Sequence, residues 1–183
     1  MPLQFVKPGA EPHLNVCLFG PPKSGKTVGA ASAPKPLLLL NADRPNATRY
    51  VHAKYGDVAT HLERFCRSLC EAPLNAVLVT WESLARDERT GEFEVLPATG
   101  TSNTNPAQKL ASMVDVIGYT GVVEEEGGST RYMAQLLPGR GRRAGNRYVS
   151  TLGASRDVDV AEWVKLVKKA TAPKAVREEK AAA

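Results

Sequence analysis

The eight residues 20–27, Gly-Pro-Pro-Lys-Ser-Gly-Lys-Thr, match the pattern G-x-x-x-x-G-K-[ST] at every fixed position. This pattern needs a buried strand before it and a helix after it, since its glycines let successive N–H groups curl inward between the two elements. The preceding run, residues 14–19, is apolar and of strand length, and the small residues at 28–33 suit a short, tightly packed helix. The motif therefore predicts an α/β fold in which this segment binds phosphate.

The motif gives several of its residues a chemical task. Lys26 is expected to reach the β- and γ-phosphates of a nucleoside triphosphate, and the Thr27 hydroxyl to bind the Mg²⁺ that bridges them. Lys26 is also a candidate catalytic residue, because its charge would stabilise the charge that develops during hydrolysis. The dipole of the following helix should strengthen binding. The residues predicted to bind ATP and Mg²⁺ are Gly20, Pro21, Pro22, Lys23, Ser24, Gly25, Lys26 and Thr27.

Apolar strands and amphipathic helices alternate along the rest of the chain. Buried strands are predicted at 14–19, 37–42, 76–81 and 114–119. Helices are predicted at 60–73, with a capping box at Thr60 and Phe65 on the apolar face, and at 106–113. A last helix is predicted from Asp159 onward, with Val160, Trp163, Val164 and Val167 on one apolar face. Hairpins are predicted at 87–95 and at 121–137, the latter with Gly127-Gly128 at its tip. Uniformly apolar strands are typical of parallel sheets, so we expect a mostly parallel sheet flanked by helices, with a C-terminal β-hairpin region.

Length and composition favour one domain at residues 1–170, followed by a flexible basic tail at 171–183. The chain has 183 residues, of which 43% are hydrophobic, enough for one core. No apolar run approaches the roughly 20 residues that span a bilayer, and the N-terminus lacks the apolar stretch of a signal peptide. The three cysteines, Cys17, Cys66 and Cys70, have neither disulfide nor zinc spacing and are expected to be small buried hydrophobes. These features predict a cytoplasmic protein.

The motif and several later segments resemble a family of phage AAA/RecA-like ATPases, which are encoded beside phage recombination genes. The similarity covers most of the chain. It includes residues 20–27, Ala-Ser-Ala-Pro-Lys-Pro-Leu-Leu-Leu-Leu-Asn-Ala-Asp at 31–43, the stretch 62–82, Met-Val-Asp-Val-Ile-Gly-Tyr at 113–119, Gly-Asn-Arg-Tyr at 145–148, and Asp-Val-Ala-Glu-Trp at 159–163. The resemblance implies a RecA-like P-loop NTPase fold, ATP as ligand, and a role in single-strand annealing or homologous recombination.

Two departures from that family concern hydrolysis. The family usually carries a Walker B strand, an apolar run ending in aspartate, between the second strand and the helix at 60–73; here residues 46–59 contain no such run. Trp81 stands where the family tends to have histidine. Asp43 and Glu82 are the candidate catalytic acids, because both follow the C-terminal ends of predicted parallel strands, where ligands bind. Each could equally be an ordinary turn or surface acid. Asp115 lies at the other end of its strand, and we expect it to be structural.

Four arginines crowd a glycine-rich loop near the C-terminal end. Such a loop could grip phosphates of nucleic acid, supply an arginine finger to a neighbouring subunit's nucleotide, or be solvated surface. The residues are Arg140, Arg142, Arg143 and Arg147.

These features favour an ATP-binding RecA-like ATPase that acts in DNA recombination, with single-stranded DNA as partner. It could form a homo-oligomer and would work in the bacterial host cytoplasm if phage-encoded. Hydrolysis is expected to be slow, because no dedicated Walker B acid is found. The alternatives are a small P-loop kinase, with residues 82–105 as a lid-like insertion, and a nucleotide-binding structural protein that does not hydrolyse ATP.

Overall fold

The computed structural model describes residues 13–35, 37–41, 55–86, 91–99, 105–125, 127–139 and 141–172. Nine strands and five helices lie within these ranges. The strands are β1 Val16–Phe19, β2 Leu37–Asn41, β3 Asn75–Thr80, β4 Glu82–Arg86, β5 Phe93–Pro97, β6 Val116–Glu124, β7 Thr130–Gln135, β8 Gly145–Asn146 and β9 Ser155–Asp157. The helices are α1 Lys26–Ala31, α2 Tyr55–Glu71, α3 Asn105–Met113, α4 Val149–Leu152 and α5 Val160–Thr171.

Seven of the strands form one mixed sheet in the order β2-β3-β1-β6-β7-β9, with β8 paired to β6. The four strands β2, β3, β1 and β6 are parallel, and β7, β8 and β9 join antiparallel. The prediction that strands 14–19, 37–42 and 76–81 are parallel neighbours is confirmed. Because β2 pairs directly with β3, no further strand enters the sheet between them.

The sheet is covered by helices on both faces, and β1 contributes to both cores. Val16 and Leu18 belong to a cluster that includes residues of α1 and α5, whereas Cys17 and Phe19 belong to one that includes residues of α2 and α3. This alternation follows from the two-residue period of a strand. The predicted apolar face of the last helix is confirmed, since its four residues are all buried: Val160, Trp163, Val164 and Val167.

Three sequence predictions need correction. The helix predicted to begin at Thr60 begins at Tyr55, so Thr60 lies inside α2 and does not cap it. Phe65, assigned to the apolar face of this helix, is 45% exposed. The strand at 114–119 and the first arm of the hairpin at 121–137 form one continuous strand, β6, because pairing with β7 runs on through Gly121.

A small antiparallel hairpin is present, but its strands differ from the predicted 87–95: β4 pairs with β5 in a two-stranded sheet apart from the main one, and residues 87–90 lie outside the described residues. Asp43, Arg140 and residues 173–183 of the expected tail lie outside the described residues, as do residues 46–54 of the segment without a Walker B strand. Within the described ranges, no helix has both the length and the apolar character needed to cross a membrane.

Candidate functional site

The motif loop, residues 20–27, leaves the C-terminal end of β1, which lies between β3 and β6. Phe19, the last residue of β1, is in register with Thr80 on one neighbour and with Tyr119 on the other. Three segments therefore meet at this edge of the sheet: the start of the motif loop, the β3–β4 junction, and the middle of β6. The C-terminal edge of parallel strands is where open α/β sheets bind ligands.

The backbone of the motif loop has the shape of an anion-binding nest. Lys23 and Gly25 both have left-handed backbone angles, with φ of 61° and 82°, and flank Ser24. Alternation of left- and right-handed residues turns successive N–H groups toward a common centre. The N–H groups of Ser24, Gly25 and Thr27 donate to no acceptor within the described part of the chain. These amides are therefore available to an anion.

The Lys26 side chain folds back over this loop and is 6% exposed. Its Nζ donates to the carbonyl oxygens of Gly20 at 3.0 Å and Pro21 at 2.7 Å, and lies 3.4 Å from Oγ of Ser24. These three acceptors are neutral oxygens. A phosphate oxygen would be a stronger partner, because hydrogen bonds between oppositely charged groups are roughly twice as strong as neutral ones.

Thr27 is exposed in the first turn of α1, where its hydroxyl can reach a ligand. The expected contribution of the helix dipole is smaller than the motif implies, because α1 contains only six residues and few peptide dipoles align. Attraction of an anion to this loop would therefore depend mainly on the loop amides and Lys26.

Two residues of the β6–β7 hairpin brace the motif loop, and sequence reasoning missed both. Oγ1 of Thr120 lies 2.6 Å from Oγ of Ser24 and 3.2 Å from the carbonyl oxygen of Phe19. The ring of Tyr132 packs against Gly25 so closely that a Cβ there would lie 2.4 Å from its Cγ. Gly25 is thus required both by its φ and by the space that Tyr132 occupies. Nothing in the sequence around either residue signals this contact.

Glu82 lies at the same edge of the sheet, as its position after a parallel strand predicts. Its carboxylate accepts a hydrogen bond of 2.9 Å from the hydroxyl of Tyr119. Burial raises the pKa of Tyr119, and the hydrogen bond to Glu82 raises this pKa further. The ring of Tyr119 also meets Phe19 edge-on, with centroids 5.4 Å apart. Tyr119 therefore links Glu82 to the strand that leads into the motif loop.

The described arginines of the glycine-rich loop do not form one basic cluster. Arg143 makes two hydrogen bonds of 2.9 Å to the carboxylate of Glu94. Arg147 pairs with Asp115 at 3.0 Å, before the start of β6 and so at the opposite edge of the sheet. Asp115 also accepts from the N–H of Asn15, in agreement with its expected structural role.

Arg142 has a different setting from the other two. Its guanidinium carbon lies 4.2 Å from the centre of the Tyr119 ring, a cation–π contact, and its Nη1 lies 3.4 Å from Oε1 of Gln135. Of the three described loop arginines, Arg142 is therefore the one that lies at the edge where Glu82 and the motif loop meet.

The donor set suits magnesium held through phosphate better than a metal held by protein alone. Within the described ranges, no three His, Cys, Asp or Glu side chains group as metal ligands. Mg²⁺ is commonly bound by one or two protein oxygens together with substrate phosphates. Thr27 and Glu82 could supply such oxygens.

Comparison of the chain with known protein families, curated proteins and solved structures finds no match.

Proposed function

We propose that this chain binds a nucleoside triphosphate, ATP in the first instance, through the motif loop. The observation that carries the proposal is the nest at Lys23–Ser24–Gly25, with Lys26 folded over it at the end of a buried parallel strand. The loop amides would surround the phosphates, Lys26 would bind the β- and γ-phosphates, and the Thr27 hydroxyl would hold Mg²⁺. When bound, Mg²⁺ would supply charge to neutralise the phosphate oxygens.

We further propose that the chain is a slow ATPase. Hydrolysis is in-line attack of water on the γ-phosphate, and Lys26 would stabilise the charge that develops. Glu82 lies at the correct edge of the sheet for orienting water, but its carboxylate already accepts a hydrogen bond from Tyr119. Slow turnover is also supported by the direct pairing of β2 with β3, since among the described residues no Walker B strand lies between them. Turnover well below the enzyme median of about 10 per second is therefore expected.

The role in DNA recombination, as a RecA-like P-loop protein that acts on single-stranded DNA, rests on the family resemblance. The ion pairs of Arg143 and Arg147 reduce the positive charge that the arginine loop could offer to DNA. Turnover measured with and without single-stranded DNA separates the candidate functions. Stimulation by DNA supports the recombination role, dependence on a small acceptor supports a kinase, and tight binding without turnover supports a structural protein.

Nucleotide binding is tested with Lys26→Ala, titrated with a fluorescent ATP analogue. We expect affinity to fall by at least about tenfold, because charge-assisted hydrogen bonds to the phosphates are lost. Lys35→Ala is the matched control, since it removes the same charge from an exposed position near α1. Thermal unfolding of both variants checks that they fold. Unchanged affinity in folded Lys26→Ala would refute the site.

Identity of the catalytic acid is tested by Glu82→Gln and Asp43→Asn, each made singly. The variant that abolishes residual turnover while it retains ATP affinity identifies the acid. If wild-type turnover is fast and survives in both variants, neither acid serves.

A further inference from the structure

The hydrogen bond between Tyr119 and Glu82 crosses the end of β1. Glu82 follows β3 and Tyr119 lies on β6, and these two strands flank β1 on opposite sides. The bond therefore passes beside Phe19, the residue directly before the motif loop. A phosphate chain bound by that loop would therefore lie at the same edge of the sheet as this bridge.

The guanidinium of Arg142 lies over the ring at the centre of this bridge. Arg143 and Arg147 are neutralised by carboxylates, whereas Arg142 has no carboxylate within salt-bridge distance among the described residues. Its contacts, an aromatic ring and the amide oxygen of Gln135, fix its position without a direct ion pair, and the Glu82 carboxylate lies at the hydroxyl end of the same ring. A charge held in this way at a ligand-binding edge favours a bound anion.

We propose that Arg142 contacts the terminal phosphate of the nucleotide bound by its own chain, and that Tyr119 is the residue that positions it. This inference rests on the proposed nucleotide binding. The planar guanidinium fork matches phosphate oxygens and is held over the ring without losing charge. The consequence is recognition: the chain distinguishes ATP from ADP through Arg142. The arginine acts within one chain, so no neighbouring subunit is needed.

The test compares affinities for ATP and ADP in the wild type, Arg142→Ala and Arg143→Ala. The ATP-over-ADP preference should fall about tenfold or more in Arg142→Ala, with ADP affinity unchanged, because a charge-assisted hydrogen bond to the terminal phosphate is lost. Arg143→Ala should keep the wild-type preference, since Arg143 pairs with Glu94. An unchanged ATP-over-ADP preference in Arg142→Ala would overturn the role of Arg142 and leave the proposed nucleotide binding standing. Failure of the wild type to bind either nucleotide would overturn the proposed function as well.

Tyr119 is tested with two substitutions. Tyr119→Phe keeps the ring beneath Arg142 and loses the hydroxyl that binds Glu82, so it should keep the ATP-over-ADP preference. Tyr119→Leu removes the aromatic platform and should lose the preference to the same extent as Arg142→Ala. Equal preferences in the two Tyr119 variants, both confirmed as folded by circular dichroism, would contradict the positioning role.

Action within one chain is tested by mixing Lys26→Ala with Arg142→Ala in equal amounts. Lys26→Ala should bind nucleotide at least about tenfold more weakly than the wild type, but it carries an intact Arg142, which it could lend to a neighbour. The ATP-over-ADP preference of the mixture should remain that of Arg142→Ala alone. Restoration toward the wild-type preference would show that the arginine comes from another subunit and would overturn the inference.

Discussion

Replacing Gly25 with alanine tests how tightly Tyr132 restrains the motif loop. Gly25 has φ of +82°, and an added Cβ would lie 2.4 Å from Cγ of Tyr132. Alanine therefore meets two costs. A left-handed backbone costs about 1–2 kcal/mol in a residue with a Cβ, and overpacking against the ring adds about 1–3 kcal/mol. Gly128 is a matched control, because its φ is +83° and an added Cβ would meet nothing within 4 Å.

We expect urea denaturation to show a loss of about 2–5 kcal/mol for Gly25→Ala, and of about 1–2 kcal/mol for Gly128→Ala, in the free energy of unfolding. Affinity for ATP should fall in the first variant only, since Gly128 lies at the hairpin tip. The double variant Gly25→Ala/Tyr132→Ala should lose less than the sum of the two single variants, because the clash is absent. Equal losses for Gly25→Ala and Gly128→Ala would refute the restraint by Tyr132.

Three further substitutions or measurements test the packing around the site. Thr120→Val should lower the free energy of unfolding by about 1–3 kcal/mol in urea and weaken ATP binding, because it removes the hydroxyl beside Ser24; Thr130→Val, at an exposed position of β7, should do neither. Burial raises the pKa of Cys17 from its ordinary 9.0 to about 12, so mass spectrometry should show negligible alkylation of this thiol at pH 8 in the native chain. The unfolded thiol releases its proton above pH 9.0, whereas the native thiol releases it only near pH 12. The free energy of unfolding should therefore decrease as the pH rises through that window. Trp163→Ala, at a fully buried position, should cost about 3–5 kcal/mol in the same denaturation experiment; a loss under about 1 kcal/mol would contradict its place in the core.

The elements that could be predicted are those whose sequence pattern matches their burial. The apolar runs that became β1 and β3 are buried on both faces, so nothing competes with their pattern. The predicted start of α2 was wrong because Thr60 and Glu63 match the sequence pattern of a helix start. Residues 55–59 contain no proline, and the helix therefore extends upstream through them. The length of β6 was missed because Gly121 resembles a break; pairing with Met133 on β7 carries the strand through it.

The site could be predicted only as far as its local motif extends. Lys26 and Thr27 follow from spacing, because the loop that holds them is itself local. The contacts of Thr120 and Tyr132 could not be predicted, since they depend on β6 lying next to β1 in the sheet. The prediction for the arginine loop was incomplete for a similar reason. Glu94 lies 49 residues before Arg143, so the local density of charge does not identify it as the partner of that arginine.

The bracing of the motif loop by Thr120 also links ligand binding to the course of folding. Ser24 and Thr120 are 96 residues apart in sequence, so their contact closes a long loop and forms only after β6 has joined β1. A nascent chain released before β6 is synthesised would contain the whole sequence motif without a braced loop. Nucleotide should therefore stabilise the completed chain and not such a fragment, because a ligand stabilises only the state that binds it. Protection of the chain from proteolysis by ATP would then report that the sheet is fully assembled.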